Sequence, residues 1–216
     1  LISSSIQNII FDLGGVVIHL DMPRTFNAFA QLGAITPEQA NQLFHKDPLF
    51  LSYERGAVTP EEFLNGLRHL LGKPLSDEVL TEAWNAMLLQ FPPENIELLR
   101  SLKQGGKHKL FMLSNTNVIH IEEVHRRLEE ACGEKDFSRF FDKVYYSQDI
   151  GARKPDPEAF QVILDEWNLK PGETLFIDDN QGNLLGAAQL GIKTLHFEQN
   201  SSLPAIFDNG SGQQKA

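Results

Sequence analysis

Four short polar clusters, far apart in the chain, carry groups suited to moving a phosphoryl group. Asp12 stands beside Gly14 and Gly15, and Ser114-Asn115-Thr116, Arg153-Lys154-Pro155 and Asp178-Asp179-Asn180 follow in that order. Asp12, Asp178 and Asp179 together make a hard oxygen site. Magnesium takes such a site through one or two carboxylates, completing its shell with water and substrate phosphate. Lys154 adds a cation, and the Ser114 hydroxyl with nearby backbone N–H groups can hold phosphoryl oxygens. Phosphoryl transfer asks for little more than an in-line nucleophile and neutralised equatorial charge. A carboxylate can be that nucleophile, giving an aspartyl phosphate that water later cleaves. Asp12 is the candidate, because the glycines after it let the backbone turn sharply and approach a ligand. Three crowded carboxylates disfavour one another's charge, so a cation and Lys154 are needed to keep Asp12 ionised.

Each cluster alone has a plainer reading. An aspartate at a strand end is more often a turn or cap residue, and Ser114-Asn115-Thr116 reads as an ordinary helix cap. Lys154-Pro155 reads as a surface loop. Asp178-Asp179-Asn180 reads as a turn; it is not a calcium loop, because an apolar run precedes it and the EF-hand spacing fails. The signal is the conjunction, since these clusters end or closely follow short apolar runs.

Those runs are Ile9–Asp12, Leu110–Ser114, Val144–Ser147 and Leu175–Asp178, with a fifth at Thr194–Phe197. They are short, β-branched or aromatic, and apolar at consecutive positions, which predicts strands buried on both faces of a parallel sheet. Helical patterns lie between them: Ile119–Cys132 stopped by Gly133, Pro157–Asn168, and Gln181–Leu190 ended by Gly191. The alternation predicts an α/β fold with a Rossmann-like, doubly wound parallel sheet. In such a sheet all carboxyl ends share one edge, where ligands bind.

Residues 20–91 differ. They hold no convincing strand, and helices are predicted to open at Pro23, Thr36-Pro37, Thr59-Pro60 and Ser76-Asp77. A parallel crossover needs only about a dozen residues. The excess predicts an inserted all-helical subdomain at the end of the first strand, returning through Phe91-Pro92-Pro93. The expected division is an α/β core at 6–19 and 92–200, a helical cap at 20–91 that selects substrate as a lid, and a disordered Gly/Ser/Gln-rich tail at 209–216.

The chain has 216 residues and a formal net charge of −10, which disfavours nucleic acid and anionic membranes as partners. One cysteine, Cys132, cannot form an internal disulfide and fits a reducing compartment. Leu1–Ile6 carries no signal-peptide pattern, and no stretch approaches the ~20 apolar residues of a membrane span. The expectation is a cytoplasmic monomer acting on a small phosphorylated substrate. Neither a P-loop nor a dinucleotide fingerprint is present.

Phe11-Asp12-Leu13-Gly14-Gly15-Val16-Val17, Leu113-Ser114-Asn115-Thr116, Lys154-Pro155 and Ile177-Asp178-Asp179-Asn180 resemble the four ordered motifs of the haloacid dehalogenase-like hydrolase superfamily. The resemblance covers nearly the whole chain, and the helical insertion resembles the family's C1-type cap. The wording of the motifs is similar to the branch of bacterial α-glucose-1-phosphate phosphatases and epoxide hydrolase N-terminal phosphatase domains. The resemblance implies a magnesium-dependent phosphatase, with a sugar phosphate as substrate. It implies Asp12 as nucleophile, Lys154 paired with nucleophile and phosphate, and Ser114 and Asn115 on the phosphoryl group. Asp12, the Gly14 backbone carbonyl, Asp178 and Asp179 would hold the metal. One departure stands out: most phosphatases of the superfamily carry an acid two residues after the nucleophile, where this chain has Gly14. General acid–base help is worth ~10²–10⁴-fold. His19 and Asp21, just past the strand, are the candidate substitutes.

Three rivals remain at this level: a dehalogenase, a phosphomutase, and a non-catalytic phosphate-binding protein that has lost the acid. Other features read as structural. His120 and His125 do not share a helix face and make poor metal ligands. His45 and His69 read as surface residues, and Trp84 and Trp167 as core anchors, with a place in the cap pocket open to Trp84.

Overall fold

Ile9 and Phe11 pack on one side of the first strand and Ile10 on the other, and all three are fully buried. The same alternation runs through Leu110 and Met112 against Phe111 and Leu113, and through Leu175 and Ile177 against Phe176. Strands of this composition need a helical layer on each face, and they have one. The computed structural model describes residues 2–33, 35–198 and 201–208. Its strands are β1 (Asn8–Phe11), β2 (Lys109–Ser114), β3 (Lys143–Tyr146), β4 (Thr174–Asp178) and β5 (Lys193–His196). They form one parallel sheet in the order β3-β2-β1-β4-β5. This is the doubly wound, Rossmann-like arrangement predicted from the sequence. The order reverses between β1 and β4, so the crevice of such a fold opens between those two strand ends.

Among the described residues six helices lie between β1 and β2, and the first five are α1 (Met22–Gln31), α2 (Pro37–Lys46), α3 (Pro48–Glu54), α4 (Pro60–Leu71) and α5 (Asp77–Asn85). Thr36 and Thr59 open α2 and α4 with reciprocal capping boxes, closed by Gln39 and Glu62. These helices share their own apolar core of Phe29, Phe50, Tyr53, Phe63 and Trp84. Trp84 sits inside it, 4.9 Å from the Phe63 ring and 5.5 Å from Phe50. The two connecting segments run antiparallel: Leu20 bridges Leu88, and the His19 and Gln90 backbones are hydrogen-bonded. After them come α6 (Pro93–Gly105), α7 (Val118–Cys132), α8 (Ser147–Ile150), α9 (Pro157–Glu166), α10 (Gln181–Gln189) and α11 (Leu203–Phe207). Phe207 of α11 stacks on Phe11 and closes one face of β1.

The structure departs from the sequence expectations in places. β5 is an edge strand with largely exposed side chains, and β3 is only partly buried, so burial on both faces holds for the inner three strands alone. The short helix α3, capped by Asp47, and the helix α6, which begins at Pro93, went unanticipated. Helix α9 stops at Glu166, before the expected end at Asn168, which has a positive φ of 49°. His69 is exposed as expected, and Trp167 is half-buried with its edge on Phe111. The tail 209–216 and the His45 side chain lie outside the described residues. Among the described residues, no helix is long and apolar enough to cross a membrane.

Helix α10 approaches the loop after α8 very closely. A Cβ on Gly186 would lie 2.2 Å from the Pro155 carbonyl oxygen. Backbone cannot yield as a side-chain end can. Gly186→Ala is therefore expected to destabilise the protein by about 1–3 kcal/mol in urea unfolding, through overpacking, although alanine is the better helix former by ~1 kcal/mol.

Candidate active site

The four clusters meet at the carboxyl edge of the sheet. Asp12 follows β1, Ser114 ends β2, Lys154 lies between α8 and α9, and Asp178 ends β4. The Lys154 ammonium is buried between two carboxylates, 2.7 Å from Asp12 Oδ1 and 2.8 Å from Asp178 Oδ2. The Leu13 N–H also donates to Asp12 Oδ1, at 2.7 Å. Both bonds fall on one oxygen, which leaves Oδ2 for other work. Asp178 is wholly enclosed: the Asn180 N–H donates to its Oδ1, and the Asn183 amide donates to both of its oxygens at 3.1 Å. Asp179 is half-buried and faces the cavity. Gly15, at φ 78°, lies so close to it that a Cβ there would sit 2.2 Å from Asp179 Oδ2. Position 15 thus needs glycine for both its backbone and its space.

The charge balance is incomplete without a cation. Burial pushes Asp12 up to about 8, against the pull of Lys154, with Asp178 and Asp179 raising it further. Burial opposes the charge on Lys154 too, but Asp12 and Asp178 overcome it and hold the ammonium above its ordinary value. One lysine therefore faces three carboxylates, and Asp12, Asp178 and Asp179 each place an oxygen within 4.8 Å of the others. A hard divalent cation fits this donor set in size and chemistry. With the cation present, Asp12 would ionise.

Other residues hold the cluster in place. The Asn115 amide donates to the Lys154 carbonyl, and its oxygen accepts from the Lys154 N–H, both at 2.8 Å. Its side chain therefore clamps the lysine backbone, which leaves its own N–H as the group suited to a phosphoryl oxygen. The Ser147 hydroxyl accepts from the Thr116 N–H at 2.9 Å and fixes the turn after Ser114.

Above the carboxylates is a cavity of about 610 Å³, roofed by residues of α1, α2 and α3. Glu54 and Arg153 pair in its wall at 2.8 Å. Burial pushes the Glu54 carboxyl up, against the Arg153 charge. His120 also lines it. One His120 ring nitrogen bonds the Asn117 amide at 3.1 Å and the other the Trp84 carbonyl at 3.2 Å. Burial pushes the ring down to about 4, against the Trp84 carbonyl, so it is neutral at pH 7.

The structure brings together Asp12, Gly14, Ser114, Asn115, Lys154, Asp178 and Asp179 as the sequence predicted. It does not bring His19 and Asp21 to the cavity: His19 is exposed, and Asp21 pairs with Arg24 at the surface. Neither is placed to replace the missing acid. Trp84, too, belongs to the helical core and not to the cavity wall. Sequence reasoning missed Asn183, Glu54 and His120. An asparagine one turn into the helix after Asp178-Asp179 was the available signal for the first; nothing local marks the other two.

The chain matches the family model described as haloacid dehalogenase-like hydrolase over residues 6–191. It is 29% identical over 193 residues to the D-ribitol-5-phosphate phosphatase of Bacteroides thetaiotaomicron, covering 89% of this chain and 92% of that relative. It is 29% identical over 189 residues to a sesquiterpene phosphatase of Aspergillus oryzae, covering 87% and 88%. A HAD family enzyme of Bacteroides thetaiotaomicron, solved with magnesium and inorganic phosphate, is 34% identical and superposes with a TM-score of 0.85 over 94% of this chain and 100% of that one. The family model spans most of the chain, and the chain belongs to the haloacid dehalogenase-like hydrolase family.

Proposed function

We propose that the chain is a magnesium-dependent phosphatase that hydrolyses a small phosphorylated metabolite through a phosphorylated Asp12. The observation that carries this reading is the Asp12 carboxyl group, fixed through Oδ1 by Lys154 and the Leu13 N–H on the floor of the cavity. Oδ2 attacks phosphorus, and the bond to the leaving oxygen breaks with its electron pair staying on that oxygen. Water then attacks phosphorus, freeing Asp12 and inorganic phosphate. Ser114 and the Asn115 N–H hold phosphoryl oxygens, and Lys154 offsets their charge. Asp12, Asp179 and the Gly14 carbonyl would hold the metal directly, with Asp178 orienting Lys154 behind them. Bound there, magnesium neutralises phosphoryl charge that Lys154 alone cannot. Residues 20–91 act as the cap over a core of 6–19 and 92–200, because α1, α2 and α3 form the roof of the cavity. A sugar or polyol phosphate is the class the family resemblance implies, and one relative is named for D-ribitol 5-phosphate. A dehalogenase is the weaker reading, since three converging carboxylates suit a cation that carbon–halogen cleavage does not require.

With p-nitrophenyl phosphate and magnesium, the protein is expected to release phosphate, and EDTA to abolish the release. Asp12→Asn should lower the rate by at least ~10³-fold, because it removes the group that forms the covalent bond. No release from this ester or from a panel of sugar phosphates would instead leave a phosphate-binding protein.

Metal binding should carry a proton signature. Without metal, Asp12 holds its proton until about pH 8, and ligation requires the carboxylate. Magnesium is therefore expected to release close to one proton at neutral pH. Its affinity should rise about tenfold per pH unit and level off above about pH 8. Calorimetry in buffers of differing ionisation heat measures both, and a flat profile would show Asp12 already ionised in the free protein.

A further inference from the structure

An in-line displacement fixes where a proton must be delivered. Asp12 approaches phosphorus from the floor of the cavity, so the leaving oxygen departs on the far side, toward the roof. Gly14 carries no acid, and the space beside it is taken by Leu20. The floor offers none either. Lys154 is bonded to Asp12 and Asp178, and Asp179 belongs to the cation's donor set. His120 has both ring nitrogens bonded and is neutral at pH 7. Among the described residues of α1, α2 and α3 that line the cavity, one is titratable: Glu54, at the end of α3.

Glu54 is held in a way that suits the task. Its Oε2 accepts from Arg153 Nε–H at 2.8 Å. Its Oε1 makes no hydrogen bond among the described residues, and it is not sealed away from solvent. One oxygen is thus anchored, and the other is available to a ligand in the cavity. The anchor is short, because Arg153 adjoins Lys154, whose ammonium touches Asp12. The loop that brings a cation to the nucleophile therefore also positions Glu54. The surroundings suit an acid as well. Burial pushes the Glu54 carboxyl up toward its protonated form, and the charges of Arg153, Arg55 and Lys154 offset that only in part.

Resting on the phosphatase reading above, we propose that Glu54 is the catalytic general acid and base of this site, supplied by the roof helix α3 in place of the turn after the nucleophile. Asp12 Oδ2 bonds to phosphorus as the P–O bond to the alcohol breaks. The electron pair stays on the leaving oxygen, and the proton on Glu54 Oε1 passes to it. The products of this step are a neutral alcohol and a Glu54 carboxylate still bonded to Arg153. Water then attacks phosphorus, Glu54 takes a proton from that water, and Asp12 departs as a carboxylate. The net change is ester plus water to alcohol plus inorganic phosphate, with Glu54 protonated again. Such a site releases poor leaving groups, sugars and polyols included, without an acid at position 14. The acid is delivered only while α3 rests on the loop that carries Lys154.

The test compares esters that need the acid with one that does not. p-Nitrophenol leaves as a stable anion, whereas 2-phenylethanol and D-ribitol do not. Glu54→Gln keeps the size of the side chain and removes its acid. With magnesium, the ratio of kcat/KM for p-nitrophenyl phosphate to that for 2-phenylethyl phosphate is expected to rise at least ~10²-fold in this variant, within the range that general acid–base help supplies. The same shift is expected against D-ribitol 5-phosphate. An equal loss with every ester would show Glu54 acting only by holding the Arg153 loop, and no loss with any would show it idle; either result overturns the proposal and leaves the phosphatase standing. Urea unfolding checks that the variant is folded, and the wild-type protein gives a readout that needs no variant. Its kcat/KM values for p-nitrophenyl, phenyl and 2-phenylethyl phosphates should agree within about tenfold, and a spread of ~10²–10⁴-fold overturns the proposal by showing an unprotonated leaving oxygen. Release of phosphate from none of these esters by the wild type removes the phosphatase reading itself.

Discussion

The Lys154 ammonium, enclosed between Asp12 and Asp178, is the interaction on which the rest of this structure turns. Taking charged groups out of water is costly, and mutual attraction recovers that cost only when geometry is good and remaining lone pairs are satisfied. The sheet supplies the geometry. Adjacent parallel strands β1 and β4 deliver the two carboxylates to one edge, in a register that pairs Phe11 with Ile177. Asn180 and Asn183 then satisfy the Asp178 oxygen that the lysine does not, and the Leu13 N–H shares Asp12 Oδ1 with the lysine. The arrangement still carries more negative than positive charge. That deficit is where a divalent cation and a substrate phosphate find their place.

The lysine is held from both sides. Asn115 takes both polar groups of its backbone from the β2 side. From the other side come the helices of residues 20–91: Glu54 pairs with Arg153, and Arg55 with Asp156 at 2.6 Å. The loop that neutralises the nucleophile is thus also the loop on which α3 rests. A second junction lies at Trp84, whose ring stacks on His120 at 4.7 Å while Asn117 Oδ1 accepts from both Trp84 Nε1–H and the His120 N–H. The roof of the cavity is tied to its floor at points within or beside the site. Exposed pairs such as Arg24–Asp21 contribute little by comparison.

Much of this was legible in the sequence, and the pattern of what was not has a physical cause. β1, β2 and β4 announce themselves because burial on two faces demands unbroken apolar runs. β5, at the edge, carries Lys193 and His196 into solvent, and its pattern misled the expectation of burial. Asp12, Ser114, Lys154, Asp178 and Asp179 were found because chemistry in a parallel sheet gathers at strand ends, which sequence marks. His19 and Asp21 were chosen for nearness to Asp12 along the chain. The segment turns outward after Ile18, so that nearness does not survive folding. Glu54 meets Arg153 and His120 meets Trp84 from distant parts of the chain, and no local spacing records such contacts, whereas Asn183 follows Asp178 by five residues and was within reach of a local reading.

The glycine at position 14 also links the chemistry to the helical layer. A Cβ there would meet the end of the Leu20 side chain at 2.5 Å, so the segment that leads out of the first strand folds back over the turn that follows the nucleophile. The same segment runs on to Met22 and Phe26 on the cavity wall. The roof of the cavity is therefore continuous in the chain with the strand end that carries Asp12, and the two are held in one arrangement by contacts that begin two residues after the nucleophile.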